Sequence, residues 1–221
     1  MHALRSWRWS ALTVLFIFAT QVARAGMITP DSIPNPPSAV SSVNGTPVSL
    51  SNVVISQYAG LGMNFNAPAI TRLNGVPVWV PVDSPAGRGG SVIDYATSSV
   101  GGSFVFPGTS KALSPSSVSL DIIGNPGTPK FLVSGFNGMP LNIAPVLQST
   151  PGPDGGQIWN VPGAGIYSIY VSSSGTGSPW GVSEVSFRVA STPEPSSLVL
   201  AGMGALGLAT RLGWRRSRRF A

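Results

Sequence analysis

Turn-forming clusters interrupt the middle of this chain too often for helices to grow. Asn74-Gly75, Gly87-Arg88-Gly89-Gly90, Asn125-Pro126-Gly127, Asn137-Gly138 and Pro153-Asp154-Gly155-Gly156 recur along it. Each supplies the positive-φ or fixed-φ residues that tight turns demand. Between them lie short runs rich in β-branched and aromatic residues. They are VSLSNVVIS (48–56), LGMNF (61–65), VPVWVPV (76–82), SVIDY (91–95), GSFVFP (102–107) and SVSLDIIG (117–124). KFLVSGF (130–136), LNIAP (141–145), QIWNVP (157–162), GIYSIYVSS (165–173) and VSEVSFRVA (182–190) continue the series. Val185, Phe187 and Val189 alternate with Glu184, Ser186 and Arg188, and Val118, Leu120 and Ile122 alternate with Ser119 and Asp121, the two-residue period of a strand. No window there sustains an i, i+3, i+4, i+7 apolar stripe. The pattern predicts an all-β domain of roughly eight to eleven short strands, a two-sheet antiparallel β-sandwich or jelly roll.

Composition supports that reading and removes others. The 27 Gly and 21 Pro among 221 residues have no collagen period, and 43% apolar content is too high for ordinary disorder. The net charge of +6 belongs to the ends. Arg5, Arg8 and Arg24 lie in the first 25 residues, and Arg211, Arg215, Arg216, Arg218 and Arg219 in the last eleven. Between Gly26 and Ser191, five cations face six anions. The domain is nearly neutral, so no nucleic-acid partner is expected.

The ends read as addresses. Arg5 and Arg8 precede an apolar stretch from Ala11 to Ala19, and Ala23-Arg24-Ala25 has the small-x-small form that signal peptidase cuts after. Residues 1–25 are therefore expected to leave as a signal peptide, with cleavage set by Ala23 and Ala25. Residues 26–45, rich in Pro and Ser, read as a linker or a loosely attached first strand. The β domain is expected over 46–190.

Residues 191–221 form the other address. Pro193-Glu194-Pro195 stands before twelve apolar or glycine residues, Leu198 to Ala209, and the arginine cluster follows. The two prolines fix φ and lack N–H groups, which keeps this strip extended and open to a processing enzyme. The apolar run is thin for a bilayer, although snorkelling arginines extend it. The cluster Arg211, Arg215, Arg216, Arg218 and Arg219 would hold the tail on the cytoplasmic side. As a plain anchor, the helix could pack on a neighbour through Gly202, Gly204 and Gly207.

These three parts in this order resemble the PEP-CTERM protein-sorting signal of exported proteins in Gram-negative bacteria that also make exopolysaccharide. The resemblance implies recognition of Pro193, Glu194 and Pro195 by an exosortase and removal of the tail near them. It implies an inner-membrane-tethered precursor with transient membrane contact, then release to the cell surface or the extracellular space. Signal peptidase and exosortase are the partners implied, with polysaccharide as a further one.

A second resemblance concerns the domain. VVISQYAGLGMNF (53–65) and WGVSEVSFRV (180–189) resemble the opening and closing strands of jelly-roll domains found in such proteins. Related domains of galactose-binding-like architecture often bind carbohydrate, sometimes with a structural calcium. Here Ser183-Glu184 stands where those relatives carry an Asp-Asp pair. No other cofactor or metal is expected.

The inventory argues against catalysis. There is no cysteine, and the single histidine, His2, lies in the signal peptide. A mature domain without either builds no Ser-His-Asp triad, Cys-His pair or His-ligated zinc site. A glycosidase needs two facing carboxylates, for which Asp94, Asp121, Asp154 and Glu184 are the candidates. Asp154 reads as a turn residue, and Asp121 and Glu184 read as residues of solvated strand faces. A serine-lysine hydrolase using Lys111 or Lys130 has no motif behind it. Trp159 and Trp180 are candidate glycan contacts, because flat apolar rings suit the C–H face of a sugar. Core packing competes with that role for both, as it does for Trp79 and Tyr58. The expected function is therefore a non-enzymatic exported protein associated with exopolysaccharide. A carbohydrate-binding adhesin is the alternative, and a polysaccharide hydrolase or lyase the third.

Overall fold

The computed structural model describes residues 25–41, 43–83, 91–96, 98–174 and 178–189, together with Gly204. In chain order the strands are β1 (Ala25–Ile28), β2 (Pro47–Val48), β3 (Met63–Phe65), β4 (Ala69–Leu73), β5 (Val76–Val80), β6 (Ser91–Val92) and β7 (Ser99–Phe104). They continue with β8 (Ser117–Gly124), β9 (Lys130–Gly135), β10 (Val146–Leu147), β11 (Gln157–Pro162), β12 (Ile166–Ser172) and β13 (Trp180–Arg188). Two 3-10 turns, Leu50–Asn52 and Ala59–Leu61, sit among the early strands.

All pairings are antiparallel. The larger sheet runs β10-β11-β8-β13-β5-β4, and β1 also pairs with β13. A four-stranded sheet runs β3-β7-β12-β9, and β2 pairs with β6. β13 organises the larger sheet. One edge carries β8 along its length, while the other carries β5 at Val182↔Trp79 and β1 from Val185 to Arg188.

The two main sheets face each other across one core, which makes the domain a β-sandwich. Three ring contacts bridge them. Phe104 meets Phe187 at 5.2 Å, Phe131 meets Trp159 at 5.4 Å, and Phe65 meets Trp79 at 4.6 Å between centroids. The alternation in β8 and β13 has its cause here. Val118, Leu120, Ile122, Val182, Val185 and Phe187 are buried between the sheets. The β4–β5 hairpin turns on Asn74-Gly75, with φ of 54° and 85°. Two successive positive φ values make the turn whose twist matches that of the flanking strands.

Residues 26–45 are not a free linker. β1 pairs with β13 over Ala25–Ile28, and Ile28 is fully buried. Tyr58 Oη donates to the Pro30 carbonyl, and the Val40 N–H donates to the Ile70 carbonyl at 2.8 Å. The segment belongs to one compact unit spanning Ala25–Val189. VSLSNVVIS holds only the last residue of β2, Val48, and one bridge, Val53↔Ala69, around a 3-10 turn. LNIAP is not a strand, although Leu141 N–H bonds the Val133 carbonyl at 2.8 Å. Among the described residues no helix is long and apolar enough to cross a membrane. The expected apolar helix from Leu198 to Ala209 lies outside them except for Gly204, as does the signal peptide except for Ala25.

Candidate functional site

The site is built on the outer face of the larger sheet, where β8 and β13 run side by side. Inward-facing Leu120 and Ile122 force Asp121 to the opposite face. β13 takes a bulge at Ser183, between Val182↔Ile122 and Glu184↔Asp121, which sets Glu184 directly across from Asp121. On the other side of β8, Ile158 of β11 is the neighbour of Asp121. Two carboxylates therefore stand side by side on adjacent strands.

Asp121 was expected on a solvated face, and the structure corrects this. It is 4% exposed, because the loop between β10 and β11 returns over it. Hydrogen bonds Gly152 N–H to Gly156 O (2.9 Å) and Gly155 N–H to Gly152 O (3.0 Å) hold that loop tight. Only glycine fits where it touches. A Cβ at Gly152 would lie 2.2 Å from Asp121 Oδ2, and one at Gly156 would lie 2.1 Å from Oδ1. Among the described residues neither carboxylate oxygen has a hydrogen-bond partner. The Ser183 hydroxyl donates to the Asp121 backbone carbonyl at 3.3 Å.

The electrostatics follow from that enclosure. Burial pushes the Asp121 carboxyl above its usual value; the Ser183 hydroxyl partly offsets this, and Asp154 adds to the rise. Glu184, half-buried, is raised first by its own burial and then by Asp121, against a lowering contact from Ser186. Desolvation disfavours the charged form, and a like charge compounds the effect. The pair has the residue types that hydrolysis would require. The loop, however, covers both Asp121 oxygens, so no substrate atom reaches them with the loop seated.

The remaining candidates are dispersed. Asp154 is exposed in its turn, as expected. Asp94 follows β6, and its Oδ1 accepts from the Ala96 N–H at 2.9 Å. Lys111 and Lys130 are exposed. Among the described residues no three His, Cys, Asp or Glu side chains converge to hold a metal ion.

The tryptophans divide. Trp180, expected as a candidate glycan contact, is fully buried, and its Nε1–H donates to the Tyr95 carbonyl at 2.9 Å. No sugar reaches a ring so enclosed. Trp79 and Tyr58 are equally buried and meet edge to face at 5.4 Å. Burial pushes the Tyr58 hydroxyl up to about 12. Trp159 is half-buried against Phe131, with Nε1–H toward Gln157 Oε1 at 3.4 Å.

A more accessible aromatic group was missed. Phe136, 75% exposed, packs its ring against Tyr167 at 5.7 Å. Tyr167 is the extra residue where the β12–β9 register shifts, and exposed Leu132 and half-buried Tyr170 are paired farther along the same strands. The signal was legible: Phe136 immediately precedes the Asn137-Gly138 turn, where an apolar side chain has little core to enter.

Of the sorting residues, Pro193, Glu194, Pro195, Arg211, Arg215, Arg216, Arg218 and Arg219 lie outside the described residues, as does Ala23. Ala25 opens β1.

The PEP-CTERM protein-sorting motif matches residues 191–219. That motif points to an exosortase-processed protein, exported through a membrane-anchored precursor. No curated protein and no solved structure matches the chain.

Proposed function

We propose that this chain is a non-enzymatic surface or matrix protein, delivered by exosortase processing and associated with exopolysaccharide. The carrying observation is the sorting motif at residues 191–219, downstream of a nearly neutral β-sandwich. Signal peptidase releases the N-terminus after Ala25. The run Leu198–Ala209 holds the precursor in the membrane, and the arginines behind it keep the tail inside. Exosortase then removes the tail near Pro193-Glu194-Pro195. Low charge and an abundance of Ser and Gly suit a domain surrounded by hydrated polysaccharide. The galactose-binding-like assignment of the sandwich rests on segments 53–65 and 180–189, which supply β3 and β13. Intact-mass measurement with and without an exosortase tests this reading. Loss of Arg215 to Ala221 only when the enzyme is present is the expected result. Retention of those residues in both cases leaves a plain membrane anchor.

A second reading, a carbohydrate-binding module, is favoured by exposed Phe136 against half-buried Tyr167. Its rings and the partly open Trp159 are the surfaces on which a pyranose could stack.

A further inference from the structure

Asp121 is the only Asp, Glu, Lys or Arg that is buried among the described residues. Its carboxyl is enclosed by groups of the wrong kind for a charge. Glu184 faces it from β13, Ile158 from β11, and Asp154 approaches in the loop above. Glycine carbons at positions 152 and 156 close over its oxygens. Ser183 and Ser186 are the polar neutral neighbours on β13. The nearest cation along this face of β13, Arg188, stands four residues from Glu184 and is exposed. Among the described residues no Lys or Arg acts on either carboxyl. A carboxylate without donors or a counter-charge is costly to enclose, whereas a neutral carboxyl is much less so.

We propose that Asp121, with Glu184 opposite, is a proton-operated latch for the loop 148–156. The loop seats on the neutral Asp121 carboxyl. When that group ionises, water must reach its oxygens, and the loop lifts from Gly152 to Gly156. Opening uncovers the Asp121–Glu184 pair and Ile123, whose Cδ1 lies 2.7 Å from a Cβ placed on Gly156. The sign follows from linkage. The seated state holds its proton more tightly than the open state, so closure is favoured at acid pH and weakens as pH rises above the ordinary carboxylate range. Above the raised value of the seated carboxyl, no further weakening is expected. Each unit by which closure raises that value opens the loop by roughly tenfold.

Hydrogen exchange of the purified full chain tests this, with protection of peptides covering 148–158 measured from pH 4 to 8. Rates are corrected for intrinsic exchange, and EDTA is present. Protection at the Gly152 and Gly155 amides should fall at least about tenfold over that range, while peptides from β13 stay constant. Asp121→Asn should hold protection flat, and Glu184→Gln, which removes a like charge facing Asp121, should move the midpoint to lower pH. A pH-independent wild-type loop overturns the latch, even if the Asn variant fails to fold. So does an equal fall in Asp121→Asn. Full recovery of protection at pH 8 on replacing EDTA with millimolar calcium chloride would assign the pair to a cation instead of a proton.

Discussion

The ring of Phe187 occupies the space that a side chain on Gly26 would need, with Cζ 2.4 Å from an ideal Cβ there. Gly26 pairs with Phe187 across β1 and β13, and it becomes the first residue if signal peptidase cuts after Ala25. The mature chain would thus begin inside the sheet. Gly26→Ala should destabilise the domain by about 1–3 kcal/mol, the usual cost of overpacking. Phe187→Leu in the same chain should recover part of that loss. Urea unfolding of the two variants measures both effects, and an Ala variant as stable as wild type would mean that the ring moves freely.

Trp180 and Trp159 were alike as sequence features and differ as structural ones. Trp180→Ala empties a fully buried site and removes the donor to the Tyr95 carbonyl. A loss on the order of 3–5 kcal/mol is expected. Trp159 is half-buried at the sandwich edge, so Trp159→Ala should cost distinctly less. Thermal melts of the pair decide it; equal losses would contradict the burial difference.

Much of the sandwich was legible because its strands carry their own instructions. SVSLDIIG and QIWNVP match β8 and β11 residue for residue, since alternation and flanking turns agree there. β4 was missed for a physical reason: Ala69, Ile70, Thr71 and Leu73 are all buried, which erases the alternation that marks a half-exposed strand. β1 forms through a partner at the far end of the domain, β13, and β10 is only two residues long, so neither has a pattern of its own. The burial of Asp121 was equally hidden. The strand period placed it outward correctly, but a loop some thirty residues later covers it. Gly156 was visible in the turn cluster Pro153-Asp154-Gly155-Gly156, Gly152 was not singled out, and nothing local revealed what either would cover.

The aromatic pair on the smaller sheet separates stability from binding. Phe136 is largely exposed, so Phe136→Ala should change stability by no more than about 0.5 kcal/mol. If the domain binds glycan through this face, the same change and Tyr167→Ala should abolish signal on a glycan array. An array positive for wild type and unchanged in both variants would move the contact elsewhere, with Trp159→Ala as the next variant.

Asp121 also makes a prediction for global stability. Its carboxyl and that of Glu184 are both raised in the folded chain. The native state therefore binds more protons than the unfolded state as pH climbs from the ordinary carboxylate range to the raised values, and stability falls over that window. Asp121→Asn removes the ionisation and should be more stable than wild type at pH 7, with the advantage shrinking toward pH 4. Urea titrations at several pH values give the comparison. An Asn variant less stable at pH 7 than at pH 4, relative to wild type, would reverse the sign and refute the argument.

Sorting should depend on residues outside the described sandwich. Pro193, Glu194 and Pro195 follow the last described strand by several residues, so replacing them leaves the β13 pairings intact. Glu194 is the only charge in the strip between the domain and the arginines, so an ionic contact with a processing enzyme there would fall to it. Glu194→Ala should leave the melting temperature unchanged while the precursor accumulates with its tail attached. Pro193→Ala with Pro195→Ala should slow processing by releasing the φ that each proline fixes. Replacing the basic cluster Arg215, Arg216, Arg218 and Arg219 with Ser should act differently, by weakening retention of the tail on the cytoplasmic side. Fractionation and intact mass in cells carrying an exosortase distinguish these outcomes. Normal trimming of the Glu194→Ala precursor would show that the enzyme reads the prolines or the helix and not the charge.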